Sequence, residues 1–213
     1  MCSCLKKLMR IQACNQLNAS TPLALCTFDN FSLSYYPNEP SDSGISAYQQ
    51  MEQILRYCKA YAAQFSMDAP NLLMQGGTGL GKTHLSLAIA HEAIEKGYGV
   101  IYGSAQNMVT NLEKERFQKD NEQQDTNQLM LQCDLLIIDD LGTEFSTSFV
   151  TAAIYNIVNT RLMTHKPTII STNLSMKELE ERYTERFASR ILGSYIPLFF
   201  RGKDIRQQKR RKK

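Results

Sequence analysis

Little in the sequence departs from the composition of an ordinary globular domain. Of 213 residues, eleven are glycine and six are proline, too few for a collagen-like or disordered chain. The longest unbroken apolar runs, such as residues 135–138, fall far short of the ~20 residues that a membrane-spanning helix needs. No secretory signal is evident, because Lys6, Lys7 and Arg10 stand where its apolar stretch belongs. A soluble, cytoplasmic protein is expected, with no membrane partner. Six cysteines without such a signal argue against a disulfide framework. Cys58 and Cys133 lie in apolar-rich elements and read as small core residues. Cys2 and Cys4 form a C-x-C pair that lacks a second close pair, and Cys14 and Cys26 are too isolated to supply one, so zinc binding by this chain alone is not expected. No internal repeat is visible.

With 43% hydrophobic and 21% charged residues, the chain suits one domain with short extensions and a substantial core. The net charge of +3 hides an asymmetry. Residues 201–213 hold eight Lys or Arg against one Asp, a charge of +7, which leaves −4 on the other 200 residues. Such a basic end is either a solvated tail or a contact for a phosphate backbone.

Residues 1–45 are irregular, with Thr21-Pro22, Pro37 and Pro40 as breaks and the aromatics Phe28, Phe31, Tyr35 and Tyr36 expected to pack this segment onto the domain rather than bind a ligand. From Ser46 apolar residues recur at three- and four-residue spacing, predicting a helix that Asp68-Ala69-Pro70 closes. Residues 71–75 form a short apolar strand into a Gly-rich turn. Residues 82–96 form a helix that is apolar nearly all round, so buried on more than one side. Strands follow at 99–104, 135–139, 168–171 and 195–200, with helices at 105–132 (interrupted by a polar loop near 119–128), 147–163 and 181–192. Ser175-Met176-Lys177-Glu178 is a capping box opening a short helix. Apolar strands alternating with helices predict an α/β fold with a parallel sheet covered on both faces. Ligands of such sheets bind at the C-terminal ends of the strands.

The chemistry gathers at those ends. Gly76-Gly77-Thr78-Gly79-Leu80-Gly81-Lys82-Thr83 reads G-x-x-x-x-G-K-T. Its glycines let the backbone wrap an anion with N–H groups inward, and the following helix aims its positive end at the phosphates. Lys82 should reach the β- and γ-phosphates, and the Thr83 hydroxyl should ligate Mg²⁺. Asp134 to Gly142 reads D-L-L-I-I-D-D-L-G, a buried strand ending in two carboxylates. Asp139 is placed to hold Mg²⁺ directly or through water, and Asp140 to orient or deprotonate an attacking water; the alternative is a pair of turn-forming aspartates. Asn173, after the strand at 168–171, either hydrogen-bonds the water or γ-phosphate or is a turn residue. Arg182, Arg186 and Arg190 recur every four residues on one predicted helix, either as a solvated stripe paired with Glu181 and Glu185 or as a source of an arginine finger. His84 and His91 share a helix face and read as packing residues.

Together these residues resemble the AAA+ ATPases of the bacterial helicase-loader group, the DnaC/DnaI type, from about Phe28 to Arg206. The resemblance is carried by F-D-N-F at 28–31, N-L-L-M-Q-G-G-T-G-L-G-K-T-H at 71–84, D-L-L-I-I-D-D-L-G-T-E at 134–144, S-T-N-L-S at 171–175 and E-R-F-A-S-R at 185–190. It implies a P-loop NTPase with a five-stranded parallel sheet, ATP and Mg²⁺ as cofactors, Asn173 as the sensor-1 residue, and Arg190 as the arginine finger with Arg186 second. Arg161 and Arg206 match recurring arginines of the group. Thirteen residues follow Phe200, too few for the helical lid most AAA+ proteins carry, and loaders of this type lack that lid. C-S-C-L-K-K at 2–7 resembles the end of a cysteine-containing helicase-binding domain. The implied organisation is an N-terminal extension at 1–45, an ATPase domain at 46–206 and a basic tail at 207–213.

The function implied is an ATPase that loads a hexameric DnaB-type helicase onto single-stranded DNA, as an ATP-dependent homo-oligomer. Lys114, Arg116, Lys119 and the basic tail are candidate DNA contacts. Competing readings are a transposition helper of the similar IstB type acting on duplex DNA, and a non-hydrolysing ATP-dependent switch. A small-molecule kinase would need an acceptor pocket and a lid, neither of which the sequence supplies.

Overall fold

The computed structural model describes residues 26–40, 44–117 and 126–211, together with Leu8, Ile11, Gln12, Cys14 and Asn18. Cys2, Cys4, Lys119, Lys212 and Lys213 lie outside the described residues.

Five parallel strands, β1 (Asn71–Gln75), β2 (Val100–Ser104), β3 (Leu135–Leu141), β4 (Thr168–Thr172) and β5 (Tyr195–Phe199), form one sheet in the order β2-β3-β4-β1-β5. Alternation along each strand divides the core between its two faces. Leu72, Met74, Leu135 and Ile137 pack against α1 (Ala47–Ala63) and α2 (Lys82–Glu95). Leu73, Leu136 and Ile138 face the opposite layer. That layer is built from α3 (Ala105–Phe117), α4 (Thr126–Gln132), α5 (Ser148–Met163), α6 (Met176–Tyr183) and α7 (Glu185–Ser194). With both faces covered, the strands need continuous apolar sequence, which is what 135–138 supplies.

Local chemistry sets the element ends. Ser46 and Gln49 form a reciprocal capping box that starts α1, and Ser175 and Glu178 do the same for α6. Helix α1 ends at Ala63, before Asp68-Ala69-Pro70, and the intervening residues turn back so that the Tyr61 hydroxyl donates to Pro70 O at 3.0 Å. Arg161 is fully buried. Its guanidinium donates to Met130 O (2.7 Å), Cys133 O (3.1 Å), Pro167 O (2.7 Å) and Thr168 Oγ1 (2.9 Å), tying the end of α5 to the segments that enter β3 and β4. This arginine is structural.

Three sequence readings change. Strand β3 runs on to Leu141, because Asp139 and Asp140 stay in the strand through an irregularity in its pairing with β4. The helix predicted over 181–192 is two helices: Thr184 leaves the helical region at φ 147°, and its hydroxyl accepts from Phe187 N to cap α7. Arg182 therefore sits on α6, apart from Arg186 and Arg190 on α7, and the three form no single stripe. Arg182 pairs with Glu144 at 3.3 Å rather than with Glu181 or Glu185. Finally, part of the basic end is ordered as helix α8 (Ile205–Arg211). Among the described residues no helix is long and apolar enough to cross a membrane.

Candidate functional site

The loop after β1 begins where the sheet stops. Gly76 N–H donates to Thr172 O on β4, and Phe200 N–H donates to Gln75 O, so both flanking strands hold its root. Gly81 caps α2 in the left-handed region at φ 91°. A Cβ there would stand 2.8 Å from the Phe31 ring and 3.0 Å from the Tyr36 hydroxyl oxygen, so only glycine permits both the turn and the close approach. Lys82 opens α2 with its ammonium donating to Gly76 O (2.6 Å) and Gly77 O (2.8 Å). Burial lowers its pKa, against the opposing effect of Asp140 and Asp139.

The two carboxylates at the end of β3 are neighbours in sequence with different surroundings. Asp139 is buried and accepts from the hydroxyls of Thr83 (2.9 Å), Tyr102 (2.5 Å) and Ser171. Asp140 has φ 51° and faces the cavity. Its N–H donates to Ser171 Oγ at 2.9 Å. Burial, then the charge of Asp139, raise the Asp140 pKa above the usual carboxylate range, against Lys82 and Arg206.

These groups floor a cavity of about 270 Å³. One wall comes from residues 26–40, with Cys26, Phe31 and Tyr35; the other comes from α8, with Ile205, Arg206 and Lys209. The walls are fixed to the loop. The Tyr36 hydroxyl donates to Leu80 O at 2.8 Å, and Ile205 N–H donates to Gly79 O at 3.0 Å. Lys209 lies over the Tyr35 ring at 5.3 Å, a cation–π contact between the walls. His84 also lines the cavity, its Nε2 2.9 Å from Thr27 O and its ring edge-on to Phe31. The segment 28–36 thus does more than pack: Phe28, Phe31 and Tyr36 join the core beneath α1 and α2, while Phe31 and Tyr35 also face the cavity.

The structure brings together Thr78, Gly79, Leu80, Gly81, Lys82, Thr83 and Asp140 on the lining, with Asp139 hydrogen-bonded behind Thr83 and the Gly76 and Gly77 carbonyls on Lys82. Asn173 is exposed just past β4 and is not on that lining. Arg190 lies near the start of β1, in a separate hollow beside Asn71 and Lys166, with its guanidinium 5.8 Å from the Tyr155 ring centroid. Arg186 holds a similar position at 5.9 Å. Phe31, Tyr35 and Arg206 carry no cavity role in the sequence reading, although F-D-N-F contains Phe31 and Arg206 matches a recurring arginine of the group. Of the two hydroxyls that bind Asp139 beside Thr83, Tyr102 has no sequence signal, and Ser171 lies in S-T-N-L-S with no role assigned to it. Among the described residues no cluster of three or more His, Cys, Asp or Glu side chains could hold a metal ion by itself.

Sheet order, phosphate loop and paired acids define a P-loop NTPase. The crystal structure of a DnaC helicase loader is similar over 85% of this chain and 99% of that one (TM-score 0.69, 20% identity), and DnaI over 85% and 91% (0.64, 19%). AMPPCP-bound DnaA from Aquifex aeolicus matches 87% of this chain and 55% of that one (0.64, 23%). The fold is accordingly the one these DnaC, DnaI and DnaA structures share. The chain belongs to the family of IstB-like ATP-binding proteins, which matches residues 48–196. Curated relatives include the replicative helicase loader DnaC of Buchnera aphidicola subsp. Acyrthosiphon pisum, 25% identical over 185 residues (85% of this chain, 70% of that protein). DnaC of Escherichia coli K12 is 28% identical over 149 residues (68% and 60%). The chain thus spans only part of the length of these relatives.

Proposed function

We propose that this chain is an ATPase that acts as a loader of a replicative helicase in DNA replication. The observation that carries the reading is the convergence of Lys82, Thr83, Asp139 and Asp140 at one end of the sheet in a chain whose relatives are named helicase loaders. The residues fit the nucleotide's needs: loop amides and Lys82 for phosphate, and the hard oxygen donors Thr83 and Asp139 for Mg²⁺. Three hydroxyls already donate to Asp139, which favours its contact with the ion through water. Mg²⁺ supplies charge neutralisation at the β- and γ-phosphates. Asp140, which faces the cavity and whose pKa burial and the charge of Asp139 raise, takes the proton of the water whose oxygen attacks the γ-phosphorus; ADP leaves with the electron pair of the broken bond.

The resemblance assigns Asn173 to that water, which it would meet from its exposed place just past β4, beside the cavity rather than on its lining. Arg190, remote from its own cavity, serves the nucleotide of a neighbouring copy in a homo-oligomer. The partner is a DnaB-type helicase, the nucleic acid is single-stranded DNA, and the site of action is cytoplasmic. Lys114 on α3 and the exposed cations of α8 are the DNA contacts. The ATPase domain spans 46–206, and residues 26–40 and the rest of α8, which flank it in sequence, complete the walls of its cavity.

A second reading follows from the family match: a transposition helper of the IstB type on duplex DNA. Steady-state ATP hydrolysis with single-stranded and with duplex DNA, beside Lys82→Ala, tests both. Turnover that rises with single-stranded DNA and vanishes in the variant supports the loader. Stimulation by duplex alone supports the transposition helper, and ATP binding without hydrolysis supports a switch.

A further inference from the structure

Glu144 ends the acidic motif, yet neither phosphate binding nor the proposed water attack uses it. Its side chain is buried in the loop that leaves β3. It accepts from Gly142 N–H at 3.0 Å, from Arg182 Nε at 3.3 Å and from the Tyr183 hydroxyl. Its backbone carbonyl accepts from Arg182 Nη2. Burial, then the hydrogen bond and charge of Glu144, hold the Tyr183 phenol well above its usual range, so the hydroxyl stays a donor. One carboxylate thus pins the loop to the last turn of α6.

That loop follows directly on Asp140 and Leu141, the last two residues of β3. A non-glycine residue at φ 51° persists where its surroundings over-determine it. Here Thr143 does so: its N–H (3.2 Å) and its hydroxyl (2.8 Å) both donate to Asp140 O. Thr143 lies between Gly142, whose N–H the carboxylate holds, and Glu144 itself. Gly142 is left-handed at φ 104°, and a Cβ on it would stand 2.4 Å from Leu174 Cδ1, so the loop is walled in on that side too. The bonds that fix the Asp140 carbonyl come from the segment Glu144 anchors.

We propose that Glu144 is a positioning residue for hydrolysis: acting through Gly142 and Thr143, it fixes the left-handed backbone of Asp140 and hence the direction in which that carboxylate meets water. The proposal rests on the reading of Asp140 as the base of an ATPase. Arg182 and Tyr183 are its anchors on α6, and the sheet end needs such an anchor because the pairing of β3 with β4 is irregular just there.

The test uses the full chain and the variants Glu144→Gln, which keeps the side-chain volume, and Arg182→Ala, which leaves Glu144 its other two donors. Three quantities are measured: ATP affinity, steady-state turnover, and hydrogen exchange of the Gly142 and Thr143 amides. The expected result for Glu144→Gln is turnover at saturating ATP about tenfold lower, ATP affinity within about twofold of wild type, and faster exchange at the two amides. Arg182→Ala should move all three the same way by less. Unchanged exchange and turnover overturn the proposal. So does a parallel loss of ATP affinity and turnover, which marks a merely structural residue. Should Glu144→Gln fail to fold, Arg182→Ala decides by the same measurements. A wild-type chain that binds ATP without hydrolysing it overturns the ATPase reading and the positioning role with it. Unchanged exchange in the variants overturns the positioning role alone.

Discussion

The cavity has a floor and walls, and they are built on different principles. The floor is built from two short windows: residues 76–83 and the end of β3 bring an ammonium, a hydroxyl and two carboxylates together through local backbone geometry and the alignment of β1 and β3 on either side of β4. The walls are remote. Residues 26–40 and α8 lie far apart in sequence and meet over the loop, joined by single hydrogen bonds to Leu80 and Gly79 and by the Lys209–Tyr35 contact. In the proposed function the phosphates, which every nucleoside triphosphate shares, fall to the floor, and the base to the aromatic and basic groups of the walls.

The largest effect should come from the floor. Asp140→Asn should cut turnover by about a hundred- to ten-thousand-fold and leave ATP affinity nearly unchanged, as read by steady-state kinetics and calorimetry; loss of affinity instead would give Asp140 a structural role. Lys82→Ala should weaken ATP binding by about a hundredfold, ~2.7 kcal/mol, and weaken GTP by the same factor, since the contact is with phosphate. Phe31→Ala should cost about tenfold in ATP affinity, ~1.4 kcal/mol, and less for GTP. Equal losses for both nucleotides would erase the distinction between floor and walls. Lys209→Ala, at an exposed cation–π contact, should cost only about twofold, ~0.4 kcal/mol.

The acid pair adds a pH test. Folding raises the Asp140 pKa, so the charged form is disfavoured in the folded state. Its contribution opposes folding at neutral pH and fades as the carboxyl protonates on acidification. Asp140→Asn should therefore raise the melting temperature at neutral pH, and that gain should shrink below the carboxylate range. A gain that is flat with pH would mean the charge is not its source.

The floor was legible in the sequence because phosphate binding demands fixed residue types at fixed spacing, and residues 76–83 and 134–142 meet that demand within short windows. The sheet was legible for a similar reason: strands buried on both faces must be apolar throughout. Phe31 and Arg206 escaped because their role depends on two distant segments converging, which no spacing encodes. Tyr102 and Ser171 escaped because a hydroxyl that donates to Asp139 looks, in sequence, like any other strand residue. The break at Thr184 was hidden because the four-residue recurrence of arginine runs straight through it, while Arg182 answers to Glu144 across the fold.

The clasp of α8 on the phosphate loop also sets an order of events in biosynthesis. The loop is translated early, at residues 76–83, but one of its carbonyls, Gly79 O, waits for the Ile205 N–H. Contacts of such long sequence separation form late. A nascent chain halted before residue 205 would carry the whole glycine motif and still lack one wall of the cavity, because α8 closes over a loop made more than a hundred residues before it.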